Sequence, residues 1–153
     1  MNRACTFKSD GIMRFITTPV RVSAANDEER TIEFTALWDT GAKTTFISDK
    51  IIQECKLVPS GKTLHVSGGR AEPFETEMFI ISVFLPNGVV VSPLRIGRVE
   101  RLTKGDILLG MDIISLGDFA ITNQNSQTIF TFCMPSTHSL DFLAENGPSE
   151  SSK

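Results

Sequence analysis

The chain is poor in the residues that build metal centres and disulfide frameworks. Its 153 residues include three cysteines and two histidines. Cys5, Cys55 and Cys133 form an odd set at irregular spacing, which does not suit a disulfide framework. A reducing, cytoplasmic setting is the simpler expectation. Together with His65 and His138 the cysteines show no zinc-like spacing, so no metal and no other cofactor is expected. Neither histidine carries a local Ser-His-Asp or Cys-His signature. No apolar run approaches the ~18 residues of a membrane span, and the first ten residues lack the apolar stretch of a secretory leader. No membrane partner is therefore expected. Charge of one sign is also lacking: the net charge is −3 and the fifteen basic residues are scattered. Arg95, Arg98, Arg101 and Lys104 come nearest to a cluster, but Glu100 interrupts them, so no nucleic-acid partner is expected. An internal repeat is missing as well, and that bears on the chemistry below.

What is present is a chain of ordinary apolar content, 41%, long enough for one domain with a real core. Most of it reads as strand. Arg14 to Ala24 is rich in β-branched and aromatic residues. A polar turn at Asn26–Glu28 leads into Thr31–Trp38, where Ile32, Phe34, Ala36 and Trp38 alternate with Thr31, Glu33, Thr35 and Leu37. Met78–Leu85 and Val89–Ile96 flank Pro86-Asn87-Gly88, a strong turn signal, and predict a buried hairpin. Phe119–Thr122 and Thr128–Phe132 flank a polar turn and predict a second hairpin. Helix is scarce. Ser48 is placed to cap a short helix running to Cys55, and Asp112–Leu116 suits one more turn. The expected organisation is an N-terminal extension over 1–13, a domain over 14–134 and a largely disordered tail over 135–153.

The chemistry-bearing stretch is Ala36-Leu37-Trp38-Asp39-Thr40-Gly41-Ala42. An acid ends an alternating strand and a glycine turn follows at once. Alternation puts Asp39 on the face of Leu37 and opposite Trp38, so a core-facing Trp38 turns the acid outward beside an apolar wall. Thr40 offers a hydroxyl, and Gly41 admits close approach of another backbone. Later come Asp106-Ile107-Leu108-Leu109-Gly110, an aliphatic run closing on glycine. Between them, Ser67-Gly68-Gly69-Arg70 suits a tight hairpin tip.

In that order these features resemble the retropepsin-like aspartic peptidases, the retroviral protease type with its cellular and bacterial relatives, and Leu108–Thr122 is especially similar to bacterial members. The resemblance covers roughly Arg14 to Met134. It implies an all-β acid-protease barrel with a flap hairpin and one or two short helices, a single lobe per chain. Asp39 would be the catalytic carboxylate, and Thr40 would brace the two loops across a dimer. Gly41 would lie beside the substrate backbone, Ala42 would belong to the active-site support and Gly110 would pack under the active-site loop. Ser67, Gly68, Gly69 and Arg70 would form the flap tip, while Leu37 and Leu108 would line substrate pockets. Val20, Val22, Phe130 and Phe132 are candidates for dimer-forming terminal strands.

Two positions depart from the retroviral pattern. Lys43 stands where those enzymes carry an acid, and Met111 where they carry its arginine partner; Asp112 is the candidate to pair with Lys43 instead. Ala42 cannot donate a hydroxyl to the carboxylate as a serine there would. A less acidic pH optimum than in serine-bearing relatives is therefore expected.

Hydrolysis by acids needs two carboxyl groups around one water, sharing a proton. This chain has one such motif and no repeat to hide a second. A symmetric homodimer would supply the other, acting as an aspartic endopeptidase on an extended peptide or protein substrate. Two other readings stay open. One is a dimeric peptide-binding module with little turnover. The other is a structural β-domain in which Asp39 is only a turn residue.

Overall fold

Period-two alternation decides most of this architecture. The computed structural model describes residues 3–68 and 71–145. Strand β1 spans Arg3–Lys8, β2 Ile16–Ala24, β3 Ile32–Trp38 and β4 Phe46–Ser48, followed by helix α1, Asp49–Glu54. Then come β5 Thr63–Gly68, β6 Ala71–Phe84, β7 Val90–Val99 and β8 Ile107–Leu109. Helix α2 is Met111–Ile114; β9 Asp118–Thr122 and β10 Ile129–Met134 flank a short 3-10 turn, and α3 Phe142–Glu145 follows. Along β3, Phe34, Ala36 and Trp38 are buried while Glu33 and Thr35 are exposed. An alternating strand with one apolar face buries that face, because a slip of one residue would turn the whole set to water.

Seven strands order as β2-β3-β8-β4-β7-β6-β5, and β2 pairs with β6 as well, so every strand of this sheet but β5 closes into a barrel. The barrel is filled by Phe34, Ile47, Phe79, Ile81, Ile96, Ile107 and Leu109 among others, all essentially buried. β3 and β8 run parallel, with Leu37 opposite Leu108 and Trp38 opposite Leu109. β5 leaves the barrel as the outer strand of a hairpin with the first half of β6, pairing Thr63 with Glu77 and onward to Gly68 with Ala71.

A second sheet, β1-β10-β9, packs on the barrel through aromatic rings. The Trp38 indole lies 4.9 Å from Phe132, 5.2 Å from Phe130 and 6.0 Å from Phe119, in tilted geometry. Its Nε1 donates to the buried Thr18 hydroxyl at 2.9 Å, which satisfies the ring's one polar atom. Helix α1 is stitched to β7 by Arg98, whose guanidinium donates to both oxygens of Asp49 at 2.6 and 2.9 Å. That pairing holds the Asp49 carboxyl below its ordinary range. Among the described residues no helix is long and apolar enough to cross a membrane.

The fold corrects several expectations. Val20, Val22, Phe130 and Phe132 are buried within the single chain, so they belong to its own core and present no face to a partner. Ser48 does occupy the position before α1, but its hydroxyl makes no capping bond and is buried without a partner among the described residues. Residues 3–8, read without a strand, form β1 and pair along their length with β10, Arg3 opposite Met134 through Lys8 opposite Ile129. The tail is tied down where it begins: Asp118 accepts hydrogen bonds from the Ser136 hydroxyl, from Thr137 N at 2.7 Å and from His138 N at 2.8 Å. These donors push the Asp118 carboxyl well below its ordinary value. The disorder expected beyond Leu143 falls mainly on residues 146–153, which lie outside the described residues. All three cysteines are free, and burial pushes the Cys55 thiol up to about 11, which makes it a core group of low reactivity.

Candidate active site

Asp39 sits directly past the end of β3, where its backbone still follows the sheet: Asp39 N donates to Leu109 O at 3.0 Å. With Trp38 buried behind it, the half-buried Asp39 side chain turns to the face shared with Leu37. The chain then folds back sharply. Ala42 N donates to Asp39 O at 3.2 Å, and Gly41 N donates to Asp39 Oδ1 at 2.8 Å. That second bond is the only one the carboxyl accepts among the described residues, so its other oxygen stays open. Thr40 and Gly41 are exposed at the tip of the loop.

The loop is held from beneath. A Cβ built on Gly110 would lie 2.7 Å from the Thr44 carbonyl and 2.9 Å from Ala42 O, so only glycine lets β8 run this close under the loop. Met111 N donates to Ala42 O at 2.8 Å. Gly110 N donates to Thr45 Oγ1 at 3.2 Å, and that hydroxyl donates onward to Asp112 Oδ1 at 2.7 Å. Asp112 Oδ2 also accepts from Thr45 N at 2.8 Å. Asp112 is therefore spent on Thr45, and the expected pairing with Lys43 is absent: geometry gave the carboxylate two donors from a buried neighbour in place of an exposed ammonium. Thr45 is the supporting residue that sequence reasoning missed. It lies 67 positions from Asp112, and no local pattern marks it.

Leu37 and Leu108 are register partners on neighbouring strands, and Phe46 on β4 stands opposite Leu108 in turn. All three are half-buried. Cross-strand partners share a face, so these side chains form an apolar row on the outer side of the sheet, beginning beside Asp39. The row ends over Gly97, whose missing Cβ leaves room for the Phe46 ring, at 2.7 Å from the built Cβ position, and for Leu64 of β5 at 3.1 Å. A pocket of about 360 Å³ opens here, between residues 41–46 and the flap strand from Leu64 to Ser67. Ser67 and the backbone of Gly68, two of the expected tip residues, lie at the end of that strand. Gly69 and Arg70, the rest of the expected tip, lie outside the described residues.

The other acids near the site are occupied. Asp106 accepts from Thr35 N and from the Lys50 ammonium, both at 3.1 Å, which clamps β8 to β3 and α1. What the chain offers is one outward carboxyl on a braced loop, an apolar row beside it and a hairpin across the pocket. These are the parts of an acid protease site with the second acid missing.

Comparison with known proteins agrees with the fold. A retropepsin-like aspartic protease from Rickettsia conorii superposes with a TM-score of 0.50 at 14% identity, over 88% of this chain and 96% of that one. At that identity the match establishes a retropepsin-like fold. Comparison with curated proteins returns no match. The sequence model of the family described as aspartyl protease matches residues 18–113, more than half of the 153 and inclusive of the Asp39 loop and its Gly110 support, and the chain belongs to that aspartyl protease family.

Proposed function

We propose that this protein is an aspartic endopeptidase whose active site is completed by a second copy of the same chain. The observation that carries the reading is Asp39: a lone outward carboxyl on a loop braced by Gly110 and the Thr45–Asp112 pair, with one oxygen unpartnered among the described residues. Two such loops meeting at a two-fold axis would bring both acids around one water. The pair shares one proton, because two carboxylates at ~3 Å do not both ionise.

The ionised Asp39 takes a proton from the water, whose oxygen attacks the scissile carbonyl carbon. The partner subunit's Asp39, protonated, gives its proton to the carbonyl oxygen. The tetrahedral intermediate then collapses, the C–N bond breaks, and a proton passes to the leaving amine. Thr40, exposed at the loop tip, would bond across the axis. Leu37 and Leu108 would supply apolar wall for substrate side chains, and the hairpin of β5 and β6, acting as the flap, would cover the peptide and exclude water.

The test is incubation of the purified chain with an unstructured protein at about pH 4 to pH 8, with cut sites mapped by mass spectrometry. Internal cuts are expected, at a rate that rises faster than linearly with protein concentration until the dimer is saturated. With alanine at position 42, the optimum is expected above that of serine-bearing relatives; a rate still climbing down to about pH 3 would reject that part. No cutting at any concentration would reject the peptidase and leave a peptide-binding module.

A further inference from the structure

We propose that the pocket between the Asp39 loop and the flap strand selects an acidic side chain of the peptide, glutamate above all, with Lys43 as the deciding charge. The inference rests on the peptidase reading above and assigns part of its substrate class. The pocket's lining is apolar at half-buried positions and carries its basic groups at exposed ones. Phe46, Leu64 and Val66 supply the apolar surface; Lys43 and His65 are the charged or titratable groups among its lining residues, and no carboxylate is among them. His65 is partly answered already, since its Nδ1 lies 3.5 Å from Glu75 Oε1. Lys43 is exposed and makes no ion pair among the described residues. Asp112, the one acid that sequence suggested for it, is held by Thr45 instead. An unanswered ammonium beside an apolar floor fits a side chain with an aliphatic stem and a carboxylate end, which is glutamate. Lysine or arginine at the same subsite would bring a like charge up to Lys43, with no carboxylate among the lining residues to offset it.

The experiment uses octapeptides with apolar residues throughout, in which one position at a time is Glu, Gln or Lys. Cleavage is measured for the wild type, Lys43→Glu and Lys43→Met at one fixed pH near neutral. Binding of the same peptides to Asp39→Asn and to the double variant Asp39→Asn, Lys43→Glu is measured by fluorescence anisotropy. At one subsite the wild type is expected to favour Glu over Lys by about ten-fold at low salt, shrinking toward parity at roughly 1 M salt. Lys43→Glu should reverse the order and Lys43→Met should flatten it. Neither change removes a hydrogen bond of the described structure, and circular dichroism checks that both variants fold. A ranking that Lys43→Glu leaves unchanged, or a wild type indifferent to charge at every position, would overturn the proposal. Cutting without a charge ranking sinks the pocket assignment alone. Charge-ranked binding without cutting keeps the pocket and sinks the peptidase reading.

Discussion

Asp39→Asn is expected to lower peptide hydrolysis by at least ~10³-fold while leaving the fold unchanged. Asparagine matches aspartate in shape, and its Oδ1 can still accept the Gly41 N–H that now meets Asp39 Oδ1 at 2.8 Å. The loop should keep its course, because the bonds that tie it to its neighbours, Asp39 N to Leu109 O and Met111 N to Ala42 O, do not involve the carboxyl. Under the proposed mechanism, what disappears is the proton that the two acids would share. In a dimer the substitution strikes both members of the pair at once, so no residual acid remains to serve as base or donor. Turnover of a defined peptide, read beside a thermal melt, checks the result. The melting temperature should move by no more than a few degrees. A variant that keeps a tenth of the activity would mean that the chemistry lies elsewhere, and equal activity would expose a contaminant.

Asp112→Ala should have the largest effect on stability among single changes near the site, about 2–4 kcal/mol. The Asp112 carboxylate accepts from Thr45 N, from Thr45 Oγ1 and from Ile113 N. Thr45 is fully buried, so its N–H and hydroxyl would lose their acceptor away from bulk water. The loss then travels one bond further. The Thr45 hydroxyl, no longer oriented, is a poorer acceptor for Gly110 N, and Gly110 lies beneath the Asp39 loop. Activity should therefore fall more than the folded fraction does. Asp112→Asn keeps one acceptor oxygen and should lie between the two. Urea unfolding measures this; a shift under about 0.5 kcal/mol would show that the Thr45–Asp112 pair is not the brace.

Much of this was legible in the sequence, because the signals are local. The alternation in residues 31–38 fixes which face of β3 is buried, and with it the direction of Asp39. The turn at Pro86-Asn87-Gly88 marks the join of β6 and β7. The short helices follow from the few non-alternating stretches. The less legible parts depend on contacts between distant residues. Val20, Val22, Phe130 and Phe132 have the look of sheet residues needing cover, and alternation does not say whether the cover comes from the same chain; here Trp38 and the barrel supply it. The changed bridge positions Lys43 and Met111 point to Lys43 as partner for Asp112, whereas a buried threonine with two donors is the better partner. β1 has only Cys5 and Phe7 half-buried among exposed neighbours, too weak a pattern to name a strand before its pairing with β10 is known. Gly97 carried no turn signal because its role is to leave space for Phe46 and Leu64.

The central claim is that one active site holds two copies of Asp39. Wild-type and Asp39→Asn chains should be mixed in equal amounts, dissociated and reassembled at constant total concentration, and the activity compared with wild type alone. If each site needs an intact acid from both subunits, random assembly leaves only the wild-type dimers working, and activity falls to about one quarter. If each chain works by itself, activity stays at about one half, and the shared-site account is contradicted.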